Sequence, residues 1–192
     1  MSYTSFGITT APSSTPISVA EAKTQIRVDT SDDDTIIGNY ISAAVSLLER
    51  MTRRAFITQT ITLKYDSFPS EFRLPRAPAQ SVTSIQYVDT DGATQTWGAG
   101  NYSVDTSREP ASIVPAYNID YPDTRPIPNA VTVVYVAGYG GSSDVPEEIR
   151  LMIRLLVGHF YENREATGIT RLHELPLGLQ MMVASYEMPE VF

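Results

Sequence analysis

One stretch constrains the fold of this chain more than any other: Asp144-Val-Pro-Glu-Glu-Ile-Arg-Leu-Met-Ile-Arg-Leu-Leu-Val-Gly-His-Phe-Tyr-Glu-Asn-Arg-Glu165. Asp144 is placed to accept from the freed amides of a first helical turn, and Pro146 stands where a missing N–H costs nothing. Glu147 and Glu148 complement the positive end of the helix. Ile149, Met152, Ile153, Leu156 and Phe160 recur at helical spacing as one apolar stripe. A helix with such a stripe needs a surface to bury it against.

The rest of the chain shows where that surface comes from. Ser18-Val-Ala-Glu21 has the spacing of a capping box and opens a short helix to about Ile26. After Asp29-Thr-Ser-Asp-Asp-Asp34, read as a turn that caps the next helix, a longer helix runs from about Asp33 to Thr52. Ile37, Tyr40, Ile41, Ala44, Leu47, Leu48 and Met51 lie on one face of it. From Thr58 the period changes to alternation: Ile61, Leu63 and Tyr65 point one way and Thr60, Thr62 and Lys64 the other. Val82–Val88, closed by Asp89-Thr-Asp-Gly92, and Ala93–Trp97 form a hairpin. Tyr102–Asp105 and Ser112–Val114 supply shorter strands. Ala130-Val-Thr-Val-Val-Tyr-Val-Ala137 is the most β-prone run, and its near-continuous apolar character predicts a central strand.

The expected architecture is α+β: a helical layer built from the N- and C-terminal helices, residues 16–57 and 142–186, with a small antiparallel sheet inserted at 58–141. Residues 1–15 are expected to form an extended arm and 187–192 a tail. Residues 106–129 contain five of the thirteen prolines and are read as a long loop suited to contacts.

Candidate chemistry is sparse. The chain has no cysteine, which excludes disulfides and thiolate metal sites, and suits an intracellular or intravirion setting. The absence of a long apolar run or of a signal-like start predicts a soluble, unexported protein. Its two histidines, His159 and His173, sit in no metal-binding pattern. A hydrolase acting through His159 and Glu162 is the weaker alternative. Asp29, Ser31 and Asp33 alternate like calcium ligands, but the glycine that should follow is missing and Tyr40 stands where the bidentate glutamate belongs. No cofactor is expected. Arg50, Arg53 and Arg54 form the basic cluster that could approach nucleic acid in a small DNA-packaging accessory, with helix C-capping as the plainer reading. A net charge of −8 opposes a broad grip on phosphates. Met181, Met182, Tyr186, Met188, Val191 and Phe192 are too apolar for a free tail and suit insertion into another protein.

Taken in order, several segments resemble the tailed-phage head-tail connector proteins, or adaptors, found in phages, prophages and gene-transfer-agent clusters. They include Pro16-Ile-Ser-Val-Ala-Glu-Ala-Lys23, Gln25-Ile-Arg-Val-Asp29, Thr52-Arg-Arg-Ala55 and Leu74-Pro-Arg-Ala-Pro78. Further along come Tyr87-Val-Asp89, Pro128-Asn-Ala-Val131, Tyr135-Val-Ala-Gly-Tyr-Gly140 and Leu156-Val-Gly-His-Phe-Tyr-Glu-Asn-Arg-Glu165. Where that family often has tryptophan before proline in the long loop, this chain has Tyr121-Pro122. The resemblance implies a non-enzymatic virion protein of the neck, assembled in the host cytoplasm. It would form a homo-oligomeric ring of about twelve copies between the portal and the stopper, head-completion or tail proteins. DNA would pass through the ring without specific binding. The resemblance also implies that the apolar C-terminal residues named above face the portal, and that Tyr117, Tyr121 and Arg125 of the long loop face a neighbour or the tail.

Overall fold

The computed structural model describes residues 3–163 and 177–189. His173, Val191 and Phe192 therefore lie outside the described residues. The described residues hold four helices and two antiparallel sheets, a mixed α+β fold. Contacts divide the chain into two compact units: a helical one of residues 13–57 and 139–187, and a sheet one of residues up to 12, 58–138, and from 188 on.

In the helical unit, α1 (Val19–Ile26) begins with the capping box foreseen from the sequence. The Ser18 amide donates to Glu21 Oε2 at 2.7 Å, and the Glu21 amide donates to Ser18 Oγ at 3.2 Å. Helix α2 (Asp34–Thr52) buries Ile37, Ile41, Ala44 and Leu48, and α3 (Glu147–Glu162) buries Ile149, Met152, Ile153, Leu156 and Val157. Phe160 is half-buried against the same core, and α4 (Leu177–Tyr186) adds Leu179 and Val183. Helices from both ends of the chain thus share one apolar core, which supplies the surface that the α3 stripe requires. Arg150 reaches from α3 to Glu21 of α1, and Tyr161 Oη donates to Asp33 Oδ2 at 2.6 Å.

Two capping expectations are corrected here. Asp144 does not cap α3. It ends a single 3-10 turn, Ser142–Asp144, and accepts from the Gly141 amide at 2.8 Å, while Pro146 takes the N-cap position. The Gly140 backbone, at φ +140°, comes so close to the Asp144 carboxylate that a Cβ there would collide with it. Asp33 likewise makes no side-chain bond to the α2 amides, because its carboxylate is turned to Tyr161. Asp34 pairs with Lys23 at 2.7 Å.

The sheet unit contains two sheets where one small sheet was expected. The five-stranded sheet has the order β1 (Ser5–Thr10), β2 (Gln59–Tyr65), β8 (Val131–Ala137), β4 (Ala79–Val88), β5 (Thr94–Trp97). The strand read as central, β8, is the middle one. Its side chains alternate, with Val131, Val133, Tyr135 and Ala137 fully buried, and β2 alternates in the same way through Ile61, Leu63 and Tyr65. The second sheet joins β3 (Phe72–Arg73), β7 (Ser112–Pro115) and β6 (Tyr102–Asp105). Strand β7 matches the short strand expected at Ser112–Val114, and because it lies within 106–129 the irregular part is shorter than that range. The expected arm at residues 1–15 contains β1, which pairs with β2 from Ser5↔Lys64 to Thr10↔Thr60.

Candidate functional site

The features able to act on another molecule are surfaces, one group on each unit. In the helical unit the main one is α4. Its ten residues carry no charge, and it is apolar on almost every side. Leu179 and Val183 are buried, and Met182 and Tyr186 pack against the core, yet Leu177 is 72 % and Met181 68 % exposed. A helix that keeps such side chains in water presents an adaptable apolar face, since methionine is flexible and polarizable.

The far end of α4 is held by Arg54. Its Nε donates to the Tyr186 carbonyl at 2.8 Å, its NH1 donates to Tyr139 Oη at 3.2 Å, and its guanidinium lies 5.7 Å from the Tyr186 ring centroid. These bonds satisfy a helix-end carbonyl that would otherwise lack a partner. Tyr186 Oη donates to Glu148 Oε2 at 3.3 Å. Burial first, and then the Glu148 carboxylate, push the Tyr186 phenol above its ordinary range. Just beyond, Arg53 Nη1 lies 4.0 Å from Glu187, and Met188 is 1 % exposed.

The three arginines read as a basic cluster therefore differ in what they do. Arg53 adopts left-handed backbone as the C-cap of α2, and Arg54 clamps α4. Arg50 is exposed on α2. Of the six apolar C-terminal residues, Met181 is open to solvent, Met182 and Tyr186 are half-buried, Met188 is buried, and Val191 and Phe192 lie outside the described residues.

In the sheet unit the irregular segment after β7 is pinned by an aromatic cluster. Tyr121 stacks on Phe68 with ring centroids 4.9 Å apart and also meets Trp97 at 5.2 Å and Phe72 at 6.2 Å. Such ring pairs add roughly 0.5–1.5 kcal/mol each beyond the area they bury. Burial pushes the Tyr121 phenol up to about 12. The Arg125 amide donates to the Val88 carbonyl at 3.0 Å, and its guanidinium lies against the backbone of Gly92, where any Cβ would collide with it.

Between these anchors a tight turn, closed by the Ile119 amide on the Ala116 carbonyl at 3.0 Å, has Asn118 at φ +59° and leaves Tyr117 92 % exposed. The three loop residues named from the sequence so divide into one outward side chain, Tyr117, and two, Tyr121 and Arg125, whose visible contacts hold the loop. Sequence reasoning missed Phe68 as the centre of the cluster. Its signal was a lone phenylalanine before Pro69, with no periodic partner nearby.

His159 is half-buried on α3, with its ring 6.2 Å from that of Phe160 and its Nδ1 3.5 Å from the side-chain Nδ2 of Asn163; Glu162 is exposed. Among the described residues no group of three histidine, aspartate or glutamate side chains is placed to hold a metal ion. An open groove of ≈ 700 Å³ runs along α1, but its walls carry both signs of charge: Lys23 and Arg27 beside Asp29 and Asp34.

These surfaces are carried on an α+β scaffold, and comparison with known proteins shows what that scaffold is similar to. Residues 16–91 match the family of phage gp6-like head-tail connector proteins. The resemblance read from the sequence is borne out over this stretch. No curated protein matches the chain. Among solved structures, a chain in the virion of a native gene transfer agent particle superposes with a TM-score of 0.78 at 23% identity, over 97% of both chains. Chains from the neck of the empty particle, determined with C6 symmetry, and of the native particle, determined with C12 symmetry, give TM-scores of 0.77 and 0.76. Both are 23% identical, and each match covers 98% of this chain and 97% of the other. The similarity to these chains establishes a shared fold.

Proposed function

We propose that this chain is a head-tail connector subunit: a structural protein that forms a ring of about twelve copies beneath the portal in the neck of a tailed phage-like particle. There it extends the DNA channel and joins the portal to stopper or tail proteins, without catalysis and without a cofactor. The observation that carries this reading is the connector-family match over residues 16–91, continued by a fold shared along nearly the whole chain with neck proteins.

Three features support the finer parts of the proposal. The uncharged face of α4, with Leu177 and Met181 outward, suits docking against the portal. Tyr117, presented by a pinned loop, suits contact with a neighbouring copy or the next ring, because exposed aromatic side chains on ordered backbone lose little entropy on binding. The net charge of −8 disfavours DNA sticking to the protein as it passes. In this scheme the helices from the two chain ends act as one layer, with residues 58–141 as the inserted part.

Imaging of particles assembled with and without the chain tests the proposal. The expected result is filled heads that carry a ring below the portal only when the chain is present, and heads that fail to join tails without it. Tailed particles with a complete neck in its absence would overturn the proposal. So would purified chain that turns over a substrate in a manner abolished by His159→Ala.

A further inference from the structure

Helix α3 has a second apolar stripe that its own core does not use. Leu151 and Leu155, one turn apart, point away from the buried Ile149, Ile153 and Leu156 and remain 36 % and 38 % exposed. Glu147, Glu148 and Glu162 are exposed along the same side of the helix. On α2, the side opposite its buried residues carries Asn39, Ser42, Ala43, Ser46 and Arg50, all exposed. Arg50 has no ion-pair or hydrogen-bond partner among the described residues.

These two outer faces lie on opposite sides of one helix pair, because α2 and α3 turn their buried faces to the same core. The Tyr161–Asp33 hydrogen bond and the Tyr40–Phe160 ring contact at 6.1 Å set the end of α3 beside the start of α2, so the helices run antiparallel. Counting back from Phe160 and forward from Tyr40 brings Leu155 level with Val45, next to Ser46. Leu151 then comes level with Glu49, and the first turn of α3 with Arg50 and the residues just after it.

We infer that the Leu151–Leu155 ridge of one copy packs onto the α2 outer face of a second copy of this chain, and that this contact closes the ring. The inference rests on the ring reading given above. In a ring of about twelve, neighbours differ by a rotation of only about 30°, so adjacent copies are close to simple translations of each other. A translation along the line from α2 to α3 preserves the levels just derived. It sets the leucine ridge in the furrow left by Ser42, Ala43 and Ser46, and Arg50 against Glu148. Among the described residues the Glu148 carboxylate meets only the neutral Tyr186 hydroxyl, while Glu147 is already paired with Arg150 and Arg154. The shapes are complementary, ridge into small-residue furrow, and so are the charges. The two faces are different, which makes the contact heterologous, the type that generates a ring.

Engineered cysteines test this cleanly, since the chain has none of its own. Ser46→Cys and Leu155→Cys in the same chain point away from each other across the helix pair. Packed helix axes lie about 8–10 Å apart, so cysteines on the two outer faces exceed the Cα separation of about 7 Å that a disulfide within one chain tolerates. Particles assembled with the double variant and then oxidised should give a ladder of cross-linked species on a non-reducing gel, absent from either single variant. Should the double variant fail to assemble, the two substitutions split between co-assembled chains should give a dimer band.

A ring present in the neck without any such cross-link overturns the inference and leaves the connector reading intact. A dimer from Leu155→Cys alone would show a self-complementary face and also overturns it. Capture of a different virion protein by a thiol-to-amine cross-linker at Leu155→Cys identifies another occupant, with the same consequence. Absence of the chain from the neck overturns the inference and the connector reading together.

Discussion

The two candidate contact regions, α4 in the helical unit and the loop around Tyr117 in the sheet unit, present apolar groups by opposite means. Helix α4 is regular and shows an apolar outer face because almost nothing in its ten residues is polar; Arg54 holds its end through a backbone carbonyl. The loop is irregular and shows a single large side chain, and it is fixed from below by Tyr121 within a cluster of Phe68, Phe72 and Trp97. A contact surface can therefore be prepared either by leaving an element without polar residues or by stapling a coil at one aromatic point. The first should tolerate small changes of partner, since many weak apolar contacts share the binding. The second should be lost with a few residues.

The sharpest break in that comparison is Phe72→Ala. Phe72 is fully buried and meets Tyr65 at 5.1 Å, Phe68 at 5.9 Å and Tyr121 at 6.2 Å. Its truncation should destabilise the sheet unit by about 3–5 kcal/mol. Denaturant unfolding followed by Trp97 fluorescence reads the loss, and the α2 and α3 amides should keep their hydrogen-exchange protection.

A smaller effect is expected from Arg54→Ala, which removes a charged hydrogen bond to a helix-end carbonyl and a contact with the Tyr186 ring. A loss of about 2 kcal/mol follows. It should show as faster exchange in α4 with little change in the sheet unit. Equal loss of protection across both units would mean that Arg54 supports more than α4.

Next comes the capping box of α1, where Ser18→Ala should cost about 1 kcal/mol. The bonds from the Ser18 backbone and side chain, and then the charge of Arg150, hold the Glu21 carboxyl below its ordinary value of 4.5. A depressed carboxyl contributes stability that is fully present above that ordinary value and lost as pH falls through the lower folded one. Wild-type protein should therefore lose stability below pH 4.5, and the gap between it and Glu21→Gln should narrow over the same range. A gap that widens on acidification would reverse the assignment.

The smallest effect on folding belongs to Tyr117→Ala. At 92 % exposure its removal should change stability by less than about 0.5 kcal/mol. Incorporation into particles should nonetheless fall if the side chain anchors a neighbour. Normal incorporation would return the loop to a purely structural account.

The helices and the central strand were legible in the sequence because their information is local. The 3.6-residue recurrence in α2 and α3, the Ser18–Glu21 pair and the alternation of β2 and β8 each lie within a few neighbouring residues, and each marks a face that must be buried. The docking role proposed above has a sequence basis of another kind, an apolar C-terminal segment with few charges.

What the sequence did not disclose depends on partners far along the chain. Strand β1 has a threonine-rich sequence with almost no buried face, and it is a strand because β2, more than fifty residues away, offers its edge. Asp144 and Asp33 each stand where a helix cap belongs, yet one closes a glycine turn and the other meets Tyr161 from α3. Arg50 and Arg54 are nearly adjacent in sequence, but only the fold leaves one in solvent and turns the other under α4. Hydrophobic period and capping chemistry are set by neighbours in the chain and so decide which elements form. The pairing of edge strands and the destination of a single charge are set by whatever the folded chain brings alongside, and that is decided only when distant segments pack together.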